Sequence, residues 1–235
     1  MEMNNISIDN NRKYLVGIVM GAVLGGLLLG YDIAVIFGAG EGLKAFFTEA
    51  EDFVYTDKMH VFTMATAFIG CVAGYFVAAL AVGRYGNRHS LMIAAMLLLV
   101  SALGCMHPES PLSEEGAATY SLFVVFNIYR FIGGIGIGLV LAVSIRYNEL
   151  FESRTTVSWN IVAVVVGIIV AYIVCTLIMG HHSYPVIESL GMGFNRVLPE
   201  SDPWTIETGW RYMFVSEAVP AVLMMLLSRK IDLSK

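Results

Sequence analysis

Three ionisable residues stand inside stretches that are otherwise apolar: Asp32, Arg130 and Glu217. A charge at the middle of a bilayer costs at least about 2.5–3.5 kcal/mol on insertion scales, so each must face a protein interior or a water-filled cavity. With one arginine held between two carboxylates, at least one of the acids is easily protonated, which is how a proton site is built. The same three groups would also serve as a static buried ion pair that fixes helix register. Other candidates are weaker. His181 and His182 have no third ligand at metal-site spacing and read as a loop at headgroup level, so no metal is expected. Cys71, Cys105 and Cys175 each lie within an apolar run and lack the spacing of a zinc site or redox pair. The string from Gly133 to Gly138, Gly-Gly-Ile-Gly-Ile-Gly, follows no strand and is not a dinucleotide fingerprint. Without a nucleophile and base, metal ligands or a phosphate loop, neither an enzyme nor a cofactor is implied.

The elements that must hold these charges are membrane helices. Apolar residues make up 57% of the 235 and charged residues only 14%, with mean hydropathy +0.71, well outside the balance of a soluble domain. They come in runs too long for buried strands or amphipathic helices. Six spans are predicted, at about 14–38, 59–82, 89–106, 119–144, 157–180 and 212–228, between a polar tail at 1–13 and a short end at 229–235. The fold class is therefore all-α membrane. A net charge of −5 leaves no basic stripe for phosphates, which excludes nucleic acid as a partner and leaves membrane lipid.

Lys and Arg set the orientation. Arg12, Lys13, Arg84, Arg88, Arg146, Arg154, Arg229, Lys230 and Lys235 fall on one side, against Lys44, Lys58, Arg196 and Arg211 on the other. Both termini are thus expected in the cytoplasm. The apolar run after the polar start leads into Gly-Tyr-Asp and not into a small-residue cleavage site, so the first span reads as retained. Glycines gather in the first span (Gly21, Gly25, Gly26, Gly30) and the fourth (Gly133, Gly134, Gly136, Gly138), where small residues let helix backbones approach. Trp159, Trp204 and Trp210 read as belt anchors at the interfaces.

Four strings, in order, go beyond composition: Gly25-Gly-Leu-Leu-Leu-Gly-Tyr-Asp32-Ile-Ala-Val-Ile, Gly83-Arg-Tyr-Gly-Asn-Arg88, Tyr129-Arg130-Phe-Ile-Gly-Gly-Ile-Gly136 and Gly209-Trp-Arg-Tyr-Met-Phe-Val-Ser-Glu217. Together they resemble the N-terminal half of the sugar porter family within the major facilitator superfamily. The resemblance implies a half bundle of that fold, with Asp32 as the proton-binding aspartate, Arg130 as its partner and Glu217 as the sixth-span glutamate of the same network. It also implies a cytoplasmic motif at Arg84, Gly86 and Arg88, joined after the fourth span by Glu149 and Arg154 at a shortened spacing. Some positions depart from the family. Leu29 stands where it places an aromatic, and Ile161 and Ile168 align with glutamines that hold sugar hydroxyls. Gly83 and Asn87 replace a polar or acidic residue and an arginine.

The expectation is a half-length sugar/proton symporter-like protein of the cell membrane, a bacterial inner membrane, that transports only when paired with a second six-helix unit. A homodimer or a separate C-terminal half would supply that unit, with a monosaccharide and a proton as cargo. The alternative is a divergent or truncated copy that no longer moves sugar and acts, if at all, as a membrane interaction protein.

Overall fold

A computed structural model describes residues 24–48, 53–109, 119–150, 155–179 and 206–230. Among them are seven helices and no strand: α1 (Leu24–Gly38), α2 (Gly40–Thr48), α3 (Asp57–Met106), α4 (Thr119–Leu150), α5 (Thr155–Met179), α6 (Ile206–Ser216) and α7 (Ala218–Lys230). Five stretches are long and apolar enough to cross a bilayer: Asp57–Ala78, Leu80–Met106, Thr119–Ser144, Asn160–Ile178 and Thr208–Ser228. The bent pair of α1 and α2, meeting at 49°, makes the sixth.

The helix ends differ from the apolar runs in informative ways. The first span does not stop at Gly38 but continues past a bend to Thr48, and the last begins at Ile206 instead of near 212. In both places the added turns carry charges, Glu41, Lys44, Glu207 and Arg211, which lower hydropathy without interrupting the helix. Residues 14–23 of the first expected span lie outside the described residues.

α3 is fifty residues of helix interrupted at Gly86, whose φ of 77° and ψ of 169° only glycine adopts without strain. There the chain reverses, because α4 runs parallel to the arm before Gly86 and antiparallel to the arm after it. Gly134 meets Ala67 and Gly138 meets Cys71, whereas Gly136 meets Ala94 and Leu98 while Gly133 meets Ser101.

Glycine decides how close the parallel pairs come. A Cβ on Gly70 or Gly74 would fall 2.3 or 2.2 Å from the carbonyl oxygens of Phe131 and Ile135. A Cβ on Gly134 or Gly138 would strike Ala67 O and Cys71 O at 2.2 and 2.1 Å. The second pair, α1 with α5, uses the same device: Gly26 against Asn160 O, Gly30 against Val164 O and Gly167 against Leu27 O. Without a hydrophobic force between helices in lipid, such close backbone packing is the main source of association.

The buried residues form two apolar clusters stacked along the bundle. One holds Tyr31, Val35, Phe47, Phe126, Tyr129, Trp210 and Phe214, and the other, nearer Gly86, holds Leu24, Leu28, Leu91, Ile137, Val140 and Met224. The seam between them falls at about the same level of α1, α4 and the α6–α7 junction. Large apolar side chains outside these clusters, such as Phe62, Phe76 and Leu80 on α3 and Ile169 and Leu177 on α5, are exposed, as suits a lipid or helix-facing surface. Trp210 is a correction: it is fully buried in the first cluster and does not face an interfacial belt. Trp204 lies outside the described residues.

Candidate functional site

The seam between the two clusters holds the charges. Asp32 leaves α1 two residues after Gly30, where the α5 backbone is pressed against the helix. Arg130 leaves α4 one turn before its run of glycines. Their side chains meet fork to fork: Arg130 Nη1 donates to Asp32 Oδ1 and Nη2 to Asp32 Oδ2, the latter at 3.0 Å. Such bidentate pairing is the strong form of the arginine–carboxylate bond. The guanidinium is 2% exposed, and the Asp32 side chain keeps 14%. Phe214 closes another side, its ring centroid 5.5 Å from Arg130 Cζ.

Glu217 occupies the turn between α6 and α7, where its N–H donates to Phe214 O at 3.1 Å. It is buried, within electrostatic range of both Asp32 and Arg130, yet forms no ion pair with the arginine among the described residues. Its Oε1 and the Arg130 Nε are both buried and make no hydrogen bond there. The trio predicted from the sequence is thus gathered at one level, but as a tight pair with a third acid beside it.

Tyr31 and Ser216 belong to this site although the sequence pattern does not single them out. The tyrosine hydroxyl lies 2.7 Å from Ser216 Oγ, joining α1 to α6 directly beside both acids. The only signal is local: each hydroxyl is the sequence neighbour of an acid inside an apolar span.

The diverged positions lie elsewhere. Leu29 packs against the Gly86-side cluster. Ile161 is 63% and Ile168 38% exposed on α5. Ile168 is level with Gly30, its N 3.1 Å from where a Gly30 Cβ would stand. At the other end, Arg84 is exposed, with its guanidinium 5.8 Å from the Tyr85 ring centroid, and Arg88 is half-buried just past the Gly86 reversal. Ser90 Oγ donates to Gly86 O at 2.9 Å, which pins that turn. Glu149 falls in the last turn of α4, while Arg154, His181 and His182 lie outside the described residues. Cys105 and Cys175 are buried free thiols and Cys71 is half-buried. No group of His, Cys, Asp or Glu able to hold a metal occurs among the described residues.

A six-helix bundle with parallel glycine-packed pairs and an arginine–aspartate pair at its seam is the half bundle of a major facilitator transporter. The chain belongs to the sugar (and other) transporter family, whose model matches residues 18–235. It is 34% identical to the D-xylose-proton symporter of Escherichia coli strain K12 over 229 residues, covering 92% of this chain and 43% of that protein. It is 28% identical to the arabinose-proton symporter of Bacillus subtilis strain 168, covering 94% of this chain and 41% of the relative. The inward-open structure of the xylose transporter XylE from E. coli superposes with a TM-score of 0.71 at 31% identity, over 93% of this chain and 48% of that one. The chain therefore spans about half the length of the relatives it matches, or less. These relatives are named as transporters.

Proposed function

We propose that this chain forms the N-terminal half of a sugar/proton symporter and moves a monosaccharide only together with a second six-helix unit, either a second copy or a separate C-terminal half. The observation that carries this reading is the forked bond between Arg130 and Asp32, buried at the seam but with the carboxylate still partly open. A proton taken up by Asp32 removes the charge that holds the fork. Arginine does not surrender its own proton, so Arg130 then turns to the neighbouring acid, Glu217. Loss of the proton restores the first pair. Two alternative partners for one arginine give the bistable element that coupled transport needs. The names of the relatives, proton symporters of pentoses, support the same cargo. In this reading the cytoplasmic membrane of a bacterium is crossed with both termini inside, and Arg84, Gly86, Arg88, Glu149 and Arg154 form the inner motif.

The test is uptake of radiolabelled xylose in transporter-deficient cells, with the chain expressed alone and with a second six-helix unit. Uptake that requires the second unit, and accumulation that is lost in Asp32→Asn, are expected. Absence of uptake in every pairing would overturn the reading.

A non-transporting membrane interaction protein is the second reading. Ile161 and Ile168 favour it, because a site meant to hydrogen-bond hydroxyls discriminates poorly once its donors are replaced by apolar side chains. The same assay separates the two.

A further inference from the structure

At the end of the bundle away from Gly86, α2 folds over the buried pair. The helix breaks only at Ala39, and the bonds from Ala39 N to Val35 O (2.8 Å) and Leu43 N to Ala39 O (2.9 Å) carry across the break. The two segments meet at 49°. The bend brings Phe47 down among Tyr55, Phe123 and Phe126, at ring-centroid distances of 5.4, 5.7 and 5.9 Å. Phe126 stands 5.3 Å from Phe214, the ring against which Arg130 lies. A continuous column of rings thus separates the Arg130–Asp32 pair from this end of the protein.

One side chain fastens the column from above. The Arg211 guanidinium is 4.9 Å from the Phe46 centroid and 4.7 Å from that of Trp210. Its Nη1 donates to Met106 O at 2.7 Å and to Glu109 Oε2 at 3.0 Å, and its Nη2 to Glu109 Oε1 at 2.6 Å. Arg211 so ties α2 to the end of α3 and the start of α6. We propose that α2 is a hinged lid that seals the Arg130–Asp32 pair from water at this end, and that Arg211 is its latch. α2 follows a one-residue break between Gly38 and Gly40, and the latch itself is partly solvent-exposed, so it is the element that local opening would release first. The inference does not depend on what is transported, or on whether anything is.

Three native thiols report on it. Cys105 and Cys175 are buried in the cluster beneath the lid, whereas Cys71 lies beside Gly138 on the far side of the seam. Maleimide labelling of the full chain in nanodiscs, resolved by peptide mass spectrometry, gives a rate for each. Arg211→Gln and Phe47→Ala should each raise labelling of Cys105 and Cys175 by at least about tenfold, the effect of weakening local closure by about 1.4 kcal/mol, and leave Cys71 unchanged. Arg211→Lys keeps the charge but loses the fork, and should fall between. Unchanged rates at Cys105 and Cys175 in both variants would overturn the lid. So would a parallel rise at all three cysteines, because that marks general loosening.

Discussion

Tyr31 and Ser216 meet hydroxyl to hydroxyl at 2.7 Å, each one residue away from an acid of the buried site. The bond links the helix that carries Asp32 to the helix end beside Glu217. Tyr31→Phe and Ser216→Ala should therefore be coupled. Interhelical hydrogen bonds in membranes average about 0.6 kcal/mol and reach about 1.7, and the double-mutant cycle should fall in that range. Thermal unfolding in detergent measures it, and strict additivity would mean that the two hydroxyls do not meet.

Arg130→Leu removes the one cation the described residues show at the seam and leaves a buried acid, Glu217, beside a partly buried one, Asp32. Adding Asp32→Asn removes part of that uncompensated charge, so the double variant should be more stable than Arg130→Leu alone. A coupling of about 0.5–3 kcal/mol is expected for residues in one network. A thermal-shift cycle decides it.

Glycine substitutions should sort by what their new methyl would strike. Gly30→Ala and Gly138→Ala drive a Cβ to 2.0 and 2.1 Å from backbone carbonyl oxygens, and the helices must part. Each should lower stability by about 1–3 kcal/mol or prevent assembly. Gly83→Ala meets nothing within 4 Å and should be tolerated. Expression and melting temperature of the three variants are the measurement.

Burial alone would raise the Glu109 carboxyl, but the hydrogen bonds and charge of Arg211 more than offset it and hold the group below the ordinary carboxylate range. A lowered folded-state pKa contributes stability that is present above the unfolded value, about 4.3, and is lost as pH falls through the folded value. Wild-type protein should lose part of its melting temperature in that acid window, and Glu109→Gln should already lack that contribution at neutral pH. Identical profiles for the two would show that the Arg211 pair contributes nothing.

Orientation is open to the same kind of check. Gly83→Cys, where a side chain meets nothing within 4 Å, should react with membrane-impermeant maleimide only after the cells are opened, because the Lys and Arg bias predicts a cytoplasmic position for that turn. Labelling in intact cells would invert the topology.

Much of this architecture is legible in the residues because lipid imposes strict rules. Run length sets the number of helices, and a charge in an apolar run must point inward, which singles out Asp32, Arg130 and Glu217 by residue type and position alone. Direction around a helix is harder. Trp210 has the composition of a belt residue, but the bend at Ala39 brings Phe46 beside it and buries it. Nothing in hydropathy foretells that bend, although Gly38 and Gly40 permit it. Arg211 is hidden for the opposite reason: as a charge it marks the edge of a span, whereas its fork and aromatic neighbours let it sit inside one.

The parallel pairing of α1 with α5 has a consequence for synthesis. A helix that leaves the ribosome early must wait in the bilayer for the partner that fits its glycine face. Asp32 precedes Arg130 by 98 residues, which at about 5–20 residues per second is roughly ten seconds of translation. Through that interval the aspartate lacks its cation. The Arg130–Asp32 pair is thus also a late step of biogenesis, closing when the fourth span arrives to claim a charge already in place.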